Sequence, residues 1–299
     1  MTYKSELVTE ERKMKIVTQK VQEAREIYDY MSKMTFPYNY VTDYKTWGKS
    51  YLYDIDGDGR TLFSELETMG AYSDRKLVGF IQFGKTAFGF DSNGEISDAV
   101  SYPVIRNFYF PEEQTEVGYS LMNEAVNALS DGSSDRIYAF FHYFGMSCYA
   151  RHGKLYMGFE NIHNLLLQSG FSVEHENVFY SSSIKSEKNS VVNLNWKDIT
   201  PGNQQYCDFI LDETIVGGCE LHFLEQDNIA YLRWIFVNDN MCGKGIGSKC
   251  MDALKAYLFS KGITRFDTDT ALTNRVAQHF YEKNGFVNEG ITRSYYREV

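Results

Sequence analysis

The chain reads as a mixed α/β protein built from two copies of one unit. Each copy is expected to hold a central mixed, mostly antiparallel sheet flanked by helices. Three observations predict this. Short β-rich runs alternate with helical patterns along the whole length. The order of elements in residues 1–185 returns in residues 191–299. One stretch, Ile235 to Leu258, passes from an apolar run through a glycine-rich turn into a helical stripe at Met251, Leu254 and Leu258.

Size and composition allow two cores. A chain of 299 residues is long enough for two ordinary domains. Aromatic residues make up 16% of it, which argues for packed interiors over disorder. A net charge of −10 argues against nucleic acid or an anionic membrane as the main partner. It is compatible with a cationic small substrate. No apolar run is long enough to span a membrane, and Met1 to Lys15 is too polar for a secretory signal. The five cysteines are odd in number and lack Cys-x-x-Cys spacing, so reduced thiols in a cytoplasmic protein are expected. Oligomeric state has no signature here.

In order, a helix is expected over Val17 to Met34, with Val21, Ala24 and Tyr28 on one face, and another over Tyr44 to Tyr53. Asp54-Ile55-Asp56-Gly57-Asp58-Gly59, closed by Glu65, has the spacing of a calcium loop: oxygens at positions one, three and five, glycine at six and a carboxylate at twelve. Leu62 at position nine offers no side-chain oxygen. The alternatives are therefore Ca2+ held by Asp54, Asp56, Asp58 and Glu65, or an acidic turn between a helix and a strand. A hairpin is expected around Ser73-Asp74-Arg75. A strand over Val104 to Phe110, a helix over Tyr119 to Leu129, a strand over Arg136 to Tyr143 and a helix over Phe159 to Gln168 follow. The polar run Ser181 to Ser190 is the best linker in the chain.

The second copy repeats this order. A hairpin covers Tyr206 to Leu211 and Ile215 to Phe223, a strand Ile229 to Val237, a strand Arg265 to Thr270 and a helix Arg275 to Lys283. Laying Gly285-Phe286 over Gly170-Phe171 places Tyr295 over Tyr180 and Tyr281 over Leu166. Val216-Gly217 lies over Val78-Gly79. Several matches in one order argue for duplication.

A strand feeding a glycine turn that opens a helix holds phosphate well, because successive amides and the helix N-terminus point into one concavity. The spacing in Cys242-Gly243-Lys244-Gly245-Ile246-Gly247-Ser248 fits neither a Walker loop nor a dinucleotide fingerprint. It resembles the pyrophosphate loop of the GCN5-related N-acetyltransferases (GNAT), Gln/Arg-x-x-Gly-x-Gly/Ala after a strand ending in Val. Cys242 stands where that family has Gln or Arg, which removes a side-chain donor and keeps the amide. Asn274-Arg275-Val276-Ala277-Gln278-His279-Phe280-Tyr281-Glu282-Lys283-Asn284-Gly285-Phe286 is similar to the family's Asn-x-x-Ala-x-x-x-Tyr-Glu-Lys-x-Gly-Phe element. The strong resemblance covers about residues 195–299, and a weak one covers about 15–185.

The resemblance implies two tandem GNAT-like domains, with a catalytic second half that moves an acetyl group from acetyl-CoA to a primary amine of a small molecule or peptide. It implies that Ile235, Phe236, Val237, Cys242, Gly243, Lys244, Gly245, Ile246, Gly247, Ser248 and Asn274 hold the cofactor, and that Tyr281 protonates the departing thiolate. On periodicity alone Tyr281 reads as core, and Asn274 as a helix N-cap. A base must take a proton from the substrate ammonium. Glu220, Asp267 and Asp269 are the carboxylates left for it, with Glu220 and Asp269 preferred. The first half has Glu112, Glu113 and Glu116 around the aligned turn, which would repel a pyrophosphate, so it is expected to have lost the cofactor site. The other functional class compatible with the motifs is a non-catalytic acyl-CoA or small-molecule binder. His142, His152, His163 and His175 lack ligand spacing and read as structural.

Overall fold

The computed structural model describes residues 16–40, 42–132, 134–185, 190–224 and 228–299. The first half opens with β1 (Ile16–Lys20), α1 (Ala24–Met31), α2 (Tyr44–Tyr53) and the hairpin β2 (Phe63–Ser73) and β3 (Lys76–Thr86). The short β4 (Gly89–Phe90) and β5 (Ile96–Ser97) lead to β6 (Pro103–Tyr109), α3 (Thr115–Leu129), β7 (Arg136–Ala139), β8 (Leu155–Tyr156), α4 (Glu160–Gln168) and β9 (Ser172–Ser183). The second half holds β10 (Asn193–Trp196), β11 (Gln204–Leu211), β12 (Thr214–Leu224), β13 (Ile229–Val237), α5 (Ile246–Ser260), β14 (Arg265–Ala271), α6 (Arg275–Lys283) and β15 (Val287–Glu298).

All but β4 and β5 join one sheet, in the order β1-β2-β3-β6-β7-β15-β9-β14-β13-β12-β11-β10, with β8 on β15. The last strand of each half has crossed over. The C-terminal β15 sits between β7 and β9 of the first half, and β9 sits between β15 and β14 of the second. The pairing is symmetric: Val287 opposite Ser181 mirrors Tyr296 opposite Ser172. Each half thus completes the other's sheet. Alternation along β9 serves both interiors, with Phe179 packed into the core of the first half and Val178 and Tyr180 into that of the second.

The repeat also appears in the local geometry. Gly170 and Gly285 take φ of +86° and +79°, and the amides of Phe171 and Phe286 bond back to the carbonyls of Leu166 and Tyr281. These are the same helix stop in both copies.

Three expectations are corrected. Ile16 to Lys20 is a strand, not the start of a helix, because the free edge of β2 gives its β-branched residues a ladder. The strand expected over Arg136 to Tyr143 ends at Ala139, where Phe140 turns with φ +53°. Ser181 to Ser183, expected in a linker, lie inside β9, and residues 186–189 of that linker fall outside the described residues.

The calcium loop is corrected too. Asp54 caps α2 and is buried against the Arg106 guanidinium, and it accepts from the amide and hydroxyl of Ser147. Asp56 and Asp58 both pair with Arg60, at 3.1 Å each. Glu65 lies exposed on β2. Two arginines supply the counter-charge for the three aspartates, Glu65 stands apart from them, and among the described residues these carboxylates form no ligand cluster. The segment is an acidic turn.

Candidate active site

The site is built where two strands part. β13 runs parallel to β14 through Ile229 to Leu232 and no further. Beyond that point Trp234 to Val237 stay paired to β12, while Asp269 to Ala271 pair with β9. The wedge left between them opens a cleft of about 460 Å³. Ile235, Phe236, Val237, Cys242, Gly243, Gly245, Ile246, Gly247, Ser248, Asn274 and Tyr281, the residues singled out in the sequence, line it together. Lys244, the remaining loop residue, is not on the wall.

The turn after β13 is shaped to present amides. Gly243 and Gly245 take φ of +74° and +75°, a left-handed backbone that favours glycine. Gly245 N-caps α5 without a side-chain partner, and among the described residues the amides of 243–248 have no backbone acceptor. Five of these six residues line the cleft, so unbonded loop amides and the N-terminus of α5 lie together at its wall. In α6, the Asn274 side chain accepts from the Ala277 amide at 3.1 Å, so it is an N-cap on the cleft wall. Tyr281 is 5% exposed and packs on Tyr180 and Phe286. Burial raises its phenol pKa, and a hydrogen bond with Thr268 tempers the rise, so the group stays protonated.

A second cavity, of about 170 Å³, is polar and draws its walls from both halves. Asp56, His142, Tyr143 and Arg151 come from the first, and Tyr206, Glu220, His222 and Arg233 from the second. Here β12 and β13 slip register: Glu220 faces Trp234 and Leu221 faces Leu232, leaving Arg233 as the extra residue of a bulge. Arg233 reaches Glu220 at 3.0 Å, and the Trp234 indole N–H donates to Glu220 at 2.6 Å. Burial nonetheless leaves the Glu220 pKa above its ordinary value. Burial and then Arg233 push His222 down to about 3, so it is neutral at physiological pH.

The other two carboxylates are committed elsewhere. Asp267 is fully buried, accepts from Tyr40 at 2.5 Å and pairs with Arg265 at 2.9 Å. Asp269 accepts from Lys154 at 3.2 Å, Asn177 at 2.9 Å and His152 at 3.1 Å. Burial pushes its carboxyl up, but Lys154 and His152 outweigh that and hold it well below the usual range. Such a carboxylate ties the halves together and is a weak base.

The corresponding wedge in the first half is filled. The Phe110 ring lies against Gly118, Tyr109 packs on Phe140 and Phe159, and Leu166 is fully buried where the second half has Tyr281. Residue order alone missed the partners of the carboxylates: Arg233 and Trp234 on Glu220, and the grip of His152 and Lys154, from the other half, on Asp269. One sequence feature pointed to the first two, since Arg233 interrupts an apolar central strand.

These features agree with comparisons to known proteins. Residues 169–286 match the model of the acetyltransferase (GNAT) family, a span that includes β9 and stops before β15. A tandem GNAT protein from the clavulanic acid biosynthesis pathway superposes with TM-score 0.64 at 10% identity, over 95% of this chain and 98% of that one. A GCN5-related glucosamine N-acetyltransferase region of a fungal multi-domain GH3 β-N-acetylglucosaminidase gives 0.58 at 10% identity, over 95% of this chain and 38% of that one. A GCN5-related N-acetyltransferase from Sphaerobacter thermophilus gives 0.52 at 9%, over 77% and 80%. At such identities the structures speak for fold. Residues 169–286 carry the match to the GNAT family, mainly in the second half, and the chain as a whole has the fold of a tandem GNAT protein. Among the described residues no helix is long and apolar enough to cross a membrane.

Proposed function

We propose that the chain is an N-acetyltransferase, moving an acetyl group from acetyl-CoA to a primary amine of a small molecule by direct attack. One observation carries this reading: the β13–β14 wedge joins free loop amides at one end to a buried, protonated tyrosine on its wall. A pure binder has no need of that phenol. The cleft suits the cofactor in chemistry, with anion-binding amides at 243–248 and apolar walls at Ile235, Val237 and Phe280. A bound thioester supplies the acyl group. Amides on the side of β13 that has parted from β14 stabilise charge on the carbonyl oxygen. Tyr281 donates its proton to the leaving sulfur, a role that suits a phenol with an ordinary pKa of about 10. Glu220 takes a proton from the incoming ammonium, directly or through water, because it lines the polar cavity while Asp267 and Asp269 are held by Arg265 and Lys154. Asp269 holds His152 and Lys154 in position.

The acceptor then enters by the polar cavity, which Glu220 lines together with the hydroxyl-bearing Tyr143 and Tyr206. We assign residues 1–185 to a half that keeps the fold without the cofactor site, and 191–299 to the catalytic half. All five thiols are free and four are buried, which suits a reducing, cytoplasmic setting.

The test is calorimetric titration with acetyl-CoA followed by thiol release across an amine panel of aminoglycosides, polyamines and amino acids. One site per chain is expected, abolished by Gly245→Glu, with release for at least one amine. Two equivalent sites would overturn the assignment of halves. Binding without release for any amine class would return the chain to a non-catalytic acyl-CoA binder.

A further inference from the structure

The first half holds a group of side chains that acetyl transfer does not use. His142 lies in the turn after β7, and Glu174 and His175 are neighbours on β9. One ligand atom from each lies within 4.8 Å of the others. Neighbours on a strand normally point to opposite faces. Here the β9–β15 ladder slips between Ser294 and Tyr295: Ser294 faces His175 and Tyr295 faces Val173, so Glu174 is the extra residue of a bulge. A bulge re-aims a side chain, and this one lets Glu174 and His175 converge on His142.

The bulge itself belongs to the repeat. Its mirror image falls at Glu289, between Asn288 and Gly290, where the next residue is glycine. What the first copy adds is the pair of imidazoles.

We propose that His142, Glu174 and His175 form a divalent transition-metal site, selective for zinc, beside the polar cavity. Two imidazoles and a carboxylate are a common zinc donor set, with a further position left for water or another oxygen. Bonds of about 2.0–2.2 Å put ligands on one ion roughly 3–4 Å apart, a small closure from the spacing seen. Two observations besides proximity support the site. The Nδ1 of His142 is buried and has no hydrogen-bond partner, although buried ring nitrogens are normally satisfied. The Ser294 hydroxyl donates to Glu174 at 3.3 Å, as a supporting group orients a ligating carboxylate. Among the described residues no hydrogen bond joins Glu174 to either imidazole, so the cluster is not explained as an internal network. The His142 and His175 rings meet edge to face at 5.6 Å. An ion there ties the turn after β7, which walls the polar cavity, to the crossed-over strand β9.

The site is independent of the acetyl-transfer reading, because the metal itself is the readout. Chelator-stripped full-length protein is titrated with Zn2+ alone, and with Co2+ followed by visible absorption. One ion per chain and the d–d bands of four-coordinate Co2+ are expected. His142→Ala and His175→Ala should each weaken Zn2+ by at least about tenfold, and Cys242→Ser, the exposed thiol, should leave it unchanged. His175 is exposed, so its variant folds whatever His142→Ala does, and circular dichroism checks both. No zinc uptake, or equal uptake by wild type and His175→Ala, would overturn the site. Loss of binding in Cys242→Ser would do the same.

Discussion

Single residues separate the chemistry from the packing. Tyr281 and Leu166 occupy the same place before the same helix stop, yet only one carries a proton. Replacing Tyr281 by Phe should lower kcat by about 10- to 1,000-fold while acetyl-CoA affinity stays within about twofold, since the ring still lines the cleft. Steady-state kinetics and titration check this, and unchanged turnover would return Tyr281 to the core. Glu220 should leave its mark on pH. A base works only when deprotonated, so kcat/KM falls as pH drops through its pKa. Burial moves that pKa above the ordinary carboxylate value, and the acid limb should lie correspondingly higher. Glu220→Gln should lower kcat and erase the limb. A pH profile of wild-type shape in that variant would remove Glu220 from the reaction.

At the level of elements, the seam between halves is held by buried charge. Asp269 on β14 grips Lys154 and His152, which come from the loop before β8 and from β8's flank. Lys154 is 4% exposed, so Asp269→Asn leaves an ammonium buried without its counter-charge. That should cost about 3–5 kcal/mol in urea unfolding. The sign with pH follows from the depressed carboxyl. Its stabilisation is full above the unfolded-state value of about 4 and is lost as pH falls through the lower folded value. Wild type should thus lose stability below about pH 4 more steeply than the variant. Equal urea midpoints for the two proteins would mean the pair contributes nothing net. The Asp54–Arg106 pair teaches the same lesson, because a loop with calcium spacing closes on a guanidinium supplied by another strand.

The whole molecule is one sheet with its last strands exchanged. Neither half has a complete sheet without the other, so the chain should unfold in one transition. Single-tryptophan proteins retaining Trp47 in the first half or Trp196 in the second should report the same denaturant midpoint. Removing residues 287–299 should unfold both halves, because β7 and β9 each lose a partner. Two separated midpoints, or a folded second half after that truncation, would contradict a shared cooperative unit.

Much of this was legible in residue order. Strand β13 and helices α2 and α6 begin and end where their patterns do, and the glycine turn announced itself, because periodicity and left-handed glycines are local properties. The duplication was visible for the same reason: Gly170 and Gly285 stop equivalent helices by equivalent bonds. What stayed hidden depended on partners distant in the chain. An acidic loop cannot reveal that Arg106 will neutralise it, and nothing in β9 or β15 says which half's edge it will join. Residue order left Glu220 and Asp269 preferred over Asp267 as the base, and only burial and their separate partners set Glu220 apart from Asp269. Local sequence determined the elements, the repeat and the phosphate-holding turn through short-range sterics and amide geometry. The tertiary structure alone decided the strand exchange, the charge pairing and the convergence of His142 with Glu174 and His175, because desolvation and long-range register exist only once the chain has closed.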